Sequence, residues 1–350
     1  MTDSPGRYLS LDLGGTKLLI GEVDSGGRVL RCKRYPSGSL LQREAVELLK
    51  SSLDDYIQTV GFPDGVPSAA GLGIIGRVDS ERGRWIEIDP VRSEPFELGR
   101  ILGERLGLPV RIDNDVKAAT LAEMTWGEGK SSRNFIYINA GTGIASGIVS
   151  EGRLLRGAHF DAGETGHMKV GVNVGTHCVC GREDCVETIS SGVGIDICAR
   201  LLCGKYPSSP LSIPQTGRVD VREVVELSKA GDPLCTVLIE NAARGLADLV
   251  LNLVRVSDPD VVVLGGGVAS NDTVFAKVQG FLDGQSTMRL CSGGVVRSSL
   301  DPSLVGLLGA AALAIEAHKA AAASSSVQLS SSSIQSLYPD SIKQSVSSWT

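Results

Sequence analysis

Residues 8–23 read YLSLDLGGTKLLIGEV. Two apolar runs flank Asp12-Leu13-Gly14-Gly15-Thr16-Lys17 and no helical period is visible, so the stretch predicts a strand, a glycine turn and a second strand. Glycines at such a turn let backbone N–H groups approach phosphate oxygens closely. Thr16 adds a hydroxyl donor, and Asp12 is placed to hold a magnesium ion directly or through water. The turn is neither a Walker loop nor a G-x-G-x-x-G motif, because no helix follows at the required spacing. Taken alone it reads equally as a plain hairpin.

Working outward, the pattern repeats. Residues 134–150 predict two strands joined by Gly141-Thr142-Gly143, and the strand Val261-Val262-Val263-Leu264 runs into Gly265-Gly266-Gly267. Residues 69–78 predict a buried strand, and a short strand from Pro109 ends at Asp113-Asn114-Asp115. Helices are predicted over 41–60, 97–107, 116–126, 234–256 and 303–319, the first with Leu41, Ala45, Leu48, Leu49, Leu53 and Ile57 on one face. Alternating strands and helices in both halves indicate α/β layers in two lobes. Two phosphate turns followed by a late glycine patch follow the layout of the two-lobed actin/hexokinase-like ATPase fold, with ribonuclease H-like lobes and an interlobe cleft. The expected organisation is an N-terminal lobe over 1–117 and a C-terminal lobe over 118–319. The tail, 320–350, is expected to be disordered: twelve of the residues from Ser324 to Thr350 are serine.

Composition narrows the partners. The 350 residues are 42% hydrophobic and 21% charged, with a net charge of −6. The densest basic cluster is only Arg31, Lys33 and Arg34, so no nucleic-acid or anionic-membrane partner is expected. No run approaches the ~20 apolar residues of a membrane span, and residues 1–15 carry no signal-peptide pattern. A soluble, cytoplasmic protein is the expectation. Three of the eight cysteines cluster, which in such a chain points to metal rather than disulfides.

Two motifs carry chemistry of their own. Asp113-Asn114-Asp115 lies at a strand end, where α/β sites sit; a carboxylate there can accept a hydroxyl proton and an amide can bond a sugar. The same residues also suit a helix N-cap. Glu164-Thr165-Gly166-His167 precedes Cys178-Val179-Cys180-Gly181 and Cys185-Val186-Glu187. One imidazole and three thiolates, His167, Cys178, Cys180 and Cys185, form a complete tetrahedral set for a structural zinc within a loop over 164–187. His177 is a rival ligand, cramped by its position next to Cys178.

DLGGTK, the Asn114-Asp115 pair, the Gly-Thr-Gly turn, ETGH and CVCGREDCVE together resemble the ROK family over residues 8–318. That family includes bacterial glucokinases, fructokinases, N-acetylhexosamine kinases and sugar-responsive repressors. The resemblance implies ATP-dependent phosphorylation of a hexose hydroxyl, with an N-acetylhexosamine or a free amino-hexose as alternative substrates. A sugar-sensing repressor is disfavoured because the first strand is expected from about Tyr8, leaving no room for a preceding DNA-binding domain, and a non-catalytic sugar-sensing protein is disfavoured by Asp12, Asp115, Glu164 and Glu187 standing together. The resemblance implies Asp115 as catalytic base and Asn114, Glu164, His167 and Glu187 as sugar ligands. It also implies Asp12, Gly14, Gly15, Thr16, Lys17, Gly141, Thr142, Gly143, Gly265, Gly266 and Gly267 around ATP with Mg²⁺, and a homo-oligomer. Three positions depart from the family pattern. Asp89 is the best match to a sugar-binding Asn, Ala140 stands where Leu or Ser is usual, and Asp184 stands where Gly is common. A carboxylate at Asp89 favours a cationic amino sugar.

Overall fold

The structure is a computed structural model and describes residues 6–38, 41–88 and 93–336. Its strands are β1 (Arg7–Leu13), β2 (Lys17–Asp24), β3 (Val29–Pro36), β4 (Ala69–Ile74), β5 (Arg77–Asp79), β6 (Arg84–Glu87), β7 (Val110–Asn114), β8 (Phe135–Ala140), β9 (Ile144–Ser150), β10 (Arg153–Leu154), β11 (Val261–Gly265) and β12 (Val295–Arg297). Its α-helices are α1 (Gln42–Thr59), α2 (Leu98–Leu106), α3 (Asp115–Thr125), α4 (Glu187–Ser190), α5 (Gly192–Leu202), α6 (Val221–Lys229), α7 (Pro233–Ser257), α8 (Asp272–Leu282) and α9 (Val305–Ser336).

The two glycine-turn hairpins seed two sheets of the same design. One has the order β3-β2-β1-β4-β7, the other β10-β9-β8-β11-β12. In each, an antiparallel hairpin carries the phosphate-type turn and two further strands add in parallel on one side. Parallel addition needs crossover helices, which cover the sheet faces and explain the continuous apolar runs of β4 and β11 and the burial of both faces of β1 from Leu9 to Leu13. The first core gathers Leu9, Leu11, Ile20, Leu49, Leu53, Leu72 and Ile112. The second packs β8 and β11 against α7 and α8 through residues such as Ile136, Leu246, Val250, Val262 and Val278.

The helix face read over 41–60 is partly corrected. Ala45, Leu49 and Leu53 are buried, joined by Val46 and Tyr56, whereas Leu41 and Ile57 are exposed at the helix ends. The basic cluster lies on edge strand β3, where Arg31 pairs with Glu22 and Asp64 and Lys33 with Asp55, and Arg34 is exposed.

Helix α9 returns from the second half to the first sheet. A Cβ on Gly71 of β4 would lie 1.9 Å from the Ala310 carbonyl, so only glycine permits that approach. By length and composition Val305–Ser324 could cross a membrane, yet Leu307, Ala310, Ala311, Leu313 and Ala314 are buried within the protein. The helix also runs past the expected end at 319 and continues to Ser336, where disorder was expected from 320. Four consecutive alanines, 320–323, carry it on, and the Ser324 hydroxyl bonds back to the Ala320 carbonyl. Residues 337–350 lie outside the described residues.

Candidate active site and metal centre

Strand β7 delivers Asp113 and Asn114, and helix α3 begins at Asp115. Asn114 caps that helix, its Oδ1 accepting from the Val116 and Lys117 N–H groups, while its Nδ2 donates to the Gly76 carbonyl. The N-cap reading of this motif therefore holds alongside the site reading, since Asn114 and Asp115 both line a cavity of about 850 Å³. That cavity brings together Asp115, Glu164, His167 and Glu187 as expected. It adds Arg77 and Glu87 from β5 and β6 and His159 and Asp161 from the segment after β10, which the sequence reading missed because no common spacing links the two pairs. Arg77 and Glu87 form an ion pair at 2.8 Å across the β5–β6 hairpin. Trp85, beside them, is fully buried and donates to the Ile75 carbonyl, a core residue rather than a site wall. Asp89 lies outside the described residues.

A second cavity, of about 460 Å³, is lined by Gly141, Thr142, Gly192, Arg218, Asp220, Arg222, Gly267 and Asn271 among others. Thr142 belongs to both cavities, so the second glycine turn is the partition between them. Of the three late glycines only Gly267 lines the second cavity. Gly266 makes the turn, at φ +83°, and a Cβ on Gly265 would strike the Tyr137 ring. Gly141 and Thr142 line this cavity and Gly143 the first one. Glu187 braces the partition: its Oε2 accepts from the Ile144 N–H at 2.8 Å, and Gly143 leaves the space that this carboxylate fills.

Asp12 stands on β1 opposite Gly73, whose β7 neighbour is Asp113. Its carboxylate presses on Gly306 in the first turn of α9, where a Cβ would lie 2.3 Å from Oδ2. Burial, then repulsion from Asp115, pushes Asp12 up to about 7, and Lys17 opposes this. Burial also raises Asp115. Gly15 and Thr16 are exposed at the turn, Gly14 donates to the Lys17 carbonyl, and Lys17 reaches the Ser303 carbonyl. A buried carboxylate beside a second one is an arrangement that a divalent cation relieves.

The ligand atoms of His167, Cys178, Cys180 and Cys185 all lie within 4.8 Å of one another. Cys178 Sγ is 3.3 Å from His167 Nδ1, and Cys180 Sγ is 3.5 Å from Cys185 Sγ. Four soft and borderline donors so close together fit one tetrahedral ion. His177 stays outside the group, with its side chain 83% exposed near Glu183. Asp184 explains its own departure from the pattern. Its φ is +55°, the left-handed region where glycine is favoured and Asp tolerated. Its Oδ1 accepts from the N–H groups of Val174, Gly175 and Thr176, fastening the strand of the loop that leads to Cys178.

This chain is similar to proteins of one family along nearly its whole length. It is 27% identical over 310 residues to a glucokinase of Halalkalibacterium halodurans, covering 86% of this chain and 93% of that one. It is also 27% identical over 280 residues to an N-acetyl-D-glucosamine kinase of Escherichia coli, covering 77% and 87%. The crystal structure of a ROK family glucokinase from Streptomyces griseus, in complex with glucose and AMPPNP, superposes with a TM-score of 0.72 at 26% identity, covering 89% of this chain and 100% of that one. The ROK family pattern matches residues 8–317. With that match running over nearly the whole chain, the chain belongs to the ROK family.

Proposed function

We propose that the protein is an ATP-dependent sugar kinase that phosphorylates a hexose hydroxyl, with the sugar in the larger cavity and the nucleotide phosphates against the two glycine turns. The observation that carries this reading is the place of Asp115. It sits on the floor of the larger cavity, one partition away from the second. Asp115 takes the proton of the attacking hydroxyl, the hydroxyl oxygen bonds to the γ-phosphorus, and the bond to the β,γ-bridging oxygen breaks to release ADP. Burial raises its basicity toward the working range. Glu164, His167, Glu187 and the Asn114 amide face the sugar hydroxyls. Asp12 is the residue placed to hold Mg²⁺, which supplies charge neutralisation at the phosphates.

The His167, Cys178, Cys180 and Cys185 group holds a zinc ion with no open position, so its role is structural. His167 belongs both to that group and to the cavity wall, so ordering the loop also orders the sugar site. The test is ADP release across glucose, mannose, fructose, N-acetylglucosamine, N-acetylmannosamine and free amino-hexoses. Release that depends on one of these sugars supports the reading. ATP hydrolysis indifferent to every sugar, or none at all, overturns it.

A further inference from the structure

One segment of the cavity wall is held in a strained shape by groups that the proposed chemistry does not use. Residues 156–163 leave β10, cross to the strand end that carries Asp115, and return to β9, where the Ser146 N–H donates to the Gly163 carbonyl. Within this segment Phe160 has φ +61°, a conformation unfavourable for a bulky residue that persists only where its surroundings enforce it. Two cations supply the enforcement. Lys117, only 4% exposed on α3, donates from Nζ to the Phe160 carbonyl at 2.6 Å. Arg156 grips the fully buried Asp113 with Nε at 3.0 Å and Nη2 at 2.9 Å. Asp113 and Lys117 each stand two residues from Asp115, on opposite sides of it. Lys117 also interacts electrostatically with Asp113, Glu164 and Asp161, so one buried cation serves both the strand end and the wall.

We propose that Lys117 and the Arg156–Asp113 pair form a two-point clamp that sets His159, Asp161 and Glu164 at a fixed distance from Asp115, making Lys117 and Arg156 positioning residues for the acceptor sugar. The inference rests on the larger cavity being the sugar site. Neither cation lines either cavity, so neither touches a ligand bound there and both act through the groups they hold. The clamp lies on the sugar side and not on the nucleotide side.

The experiment is a double-mutant cycle with Lys117→Met, Arg156→Gln and both, measuring KM for the preferred hexose and for ATP, and the hexose Kd without nucleotide. Each single variant raises hexose KM and Kd roughly tenfold, the scale of one lost charge-assisted hydrogen bond, and leaves ATP KM within about twofold. The double variant loses less than the product of the two, because both groups hold one loop. Hexose and ATP constants rising together, or hexose constants staying unchanged, overturn the clamp. Should Lys117→Met fail to melt cooperatively, the half-buried Arg156→Gln variant decides by the same ratio. Wild-type protein that binds no hexose overturns the sugar-site reading itself, whereas wild-type binding with unaltered variants overturns only the clamp.

Discussion

Replacing Asp12 by Asn removes a charge that the fold has trouble accommodating. Asp12 is 9% exposed, touches the α9 backbone at Gly306 and faces a second carboxylate. Its folded-state pKa, raised from 3.8 to about 7, exceeds the unfolded value. Between those two values the folded chain keeps a proton that the unfolded chain has lost. Stability therefore falls as pH rises through that window, and the loss is complete above about 7. The isosteric amide has no such dependence. Each pH unit is worth about 1.4 kcal/mol, so the stability of Asp12→Asn relative to wild type should grow by about 2 kcal/mol between about pH 5 and 7. Urea denaturation at a series of pH values, in magnesium-free buffer with zinc retained, reads this difference. Added Mg²⁺ should shrink the gap at pH 8 by stabilising only the wild type, while kinase activity of the variant collapses. A stability difference independent of pH, or one that turns against the Asn variant as pH rises, would refute the reasoning.

Other outcomes follow from the same geometry. Cys178→Ala should lower metal content below one zinc per chain by elemental analysis, lower the melting temperature, and weaken sugar binding through His167; an active zinc-free preparation would contradict this. Asp184→Ala loses an acceptor for three backbone N–H groups and keeps a left-handed φ, so it should cost roughly 2–3 kcal/mol in chemical denaturation. A shift below about 0.5 kcal/mol would show that the loop holds without it. Deleting residues 324–350 should leave turnover and melting temperature unchanged, because Ala317 is the last buried side chain on the described part of α9. A drop in either would mean that the removed segment docks.

What the sequence made legible was whatever is local. The turn after Asp12, the turn at Gly141 and the ligand set from His167 to Cys185 are each read from residues a few positions apart, where glycine geometry or ligand spacing leaves few alternatives. Strand β3 was missed because it is an edge strand whose Arg31, Lys33 and Tyr35 alternate with exposed residues and whose pairing partners lie elsewhere in the chain. Helix α9 was legible as a helix from its Ala and Leu content, but its place on the first sheet depends on Gly71 and Gly306, distant positions that only packing connects. His159, Asp161 and Arg156 belong to no motif. Their relation to Asp115 arises from the segment 156–163, which crosses from β10 of the second sheet to the end of β7 in the first, and a charge pattern along the chain carries no trace of it.

The central claim is that Asp115 removes the proton of a sugar hydroxyl during phosphoryl transfer from ATP. The most direct measurement is transfer of the labelled γ-phosphate to the preferred hexose by Asp115→Asn, with hexose and nucleotide binding measured in the same preparation. The variant should bind both ligands nearly as wild type does and transfer phosphate roughly 10²–10⁴-fold more slowly. Transfer at the wild-type rate by the folded, ligand-binding variant would contradict the account.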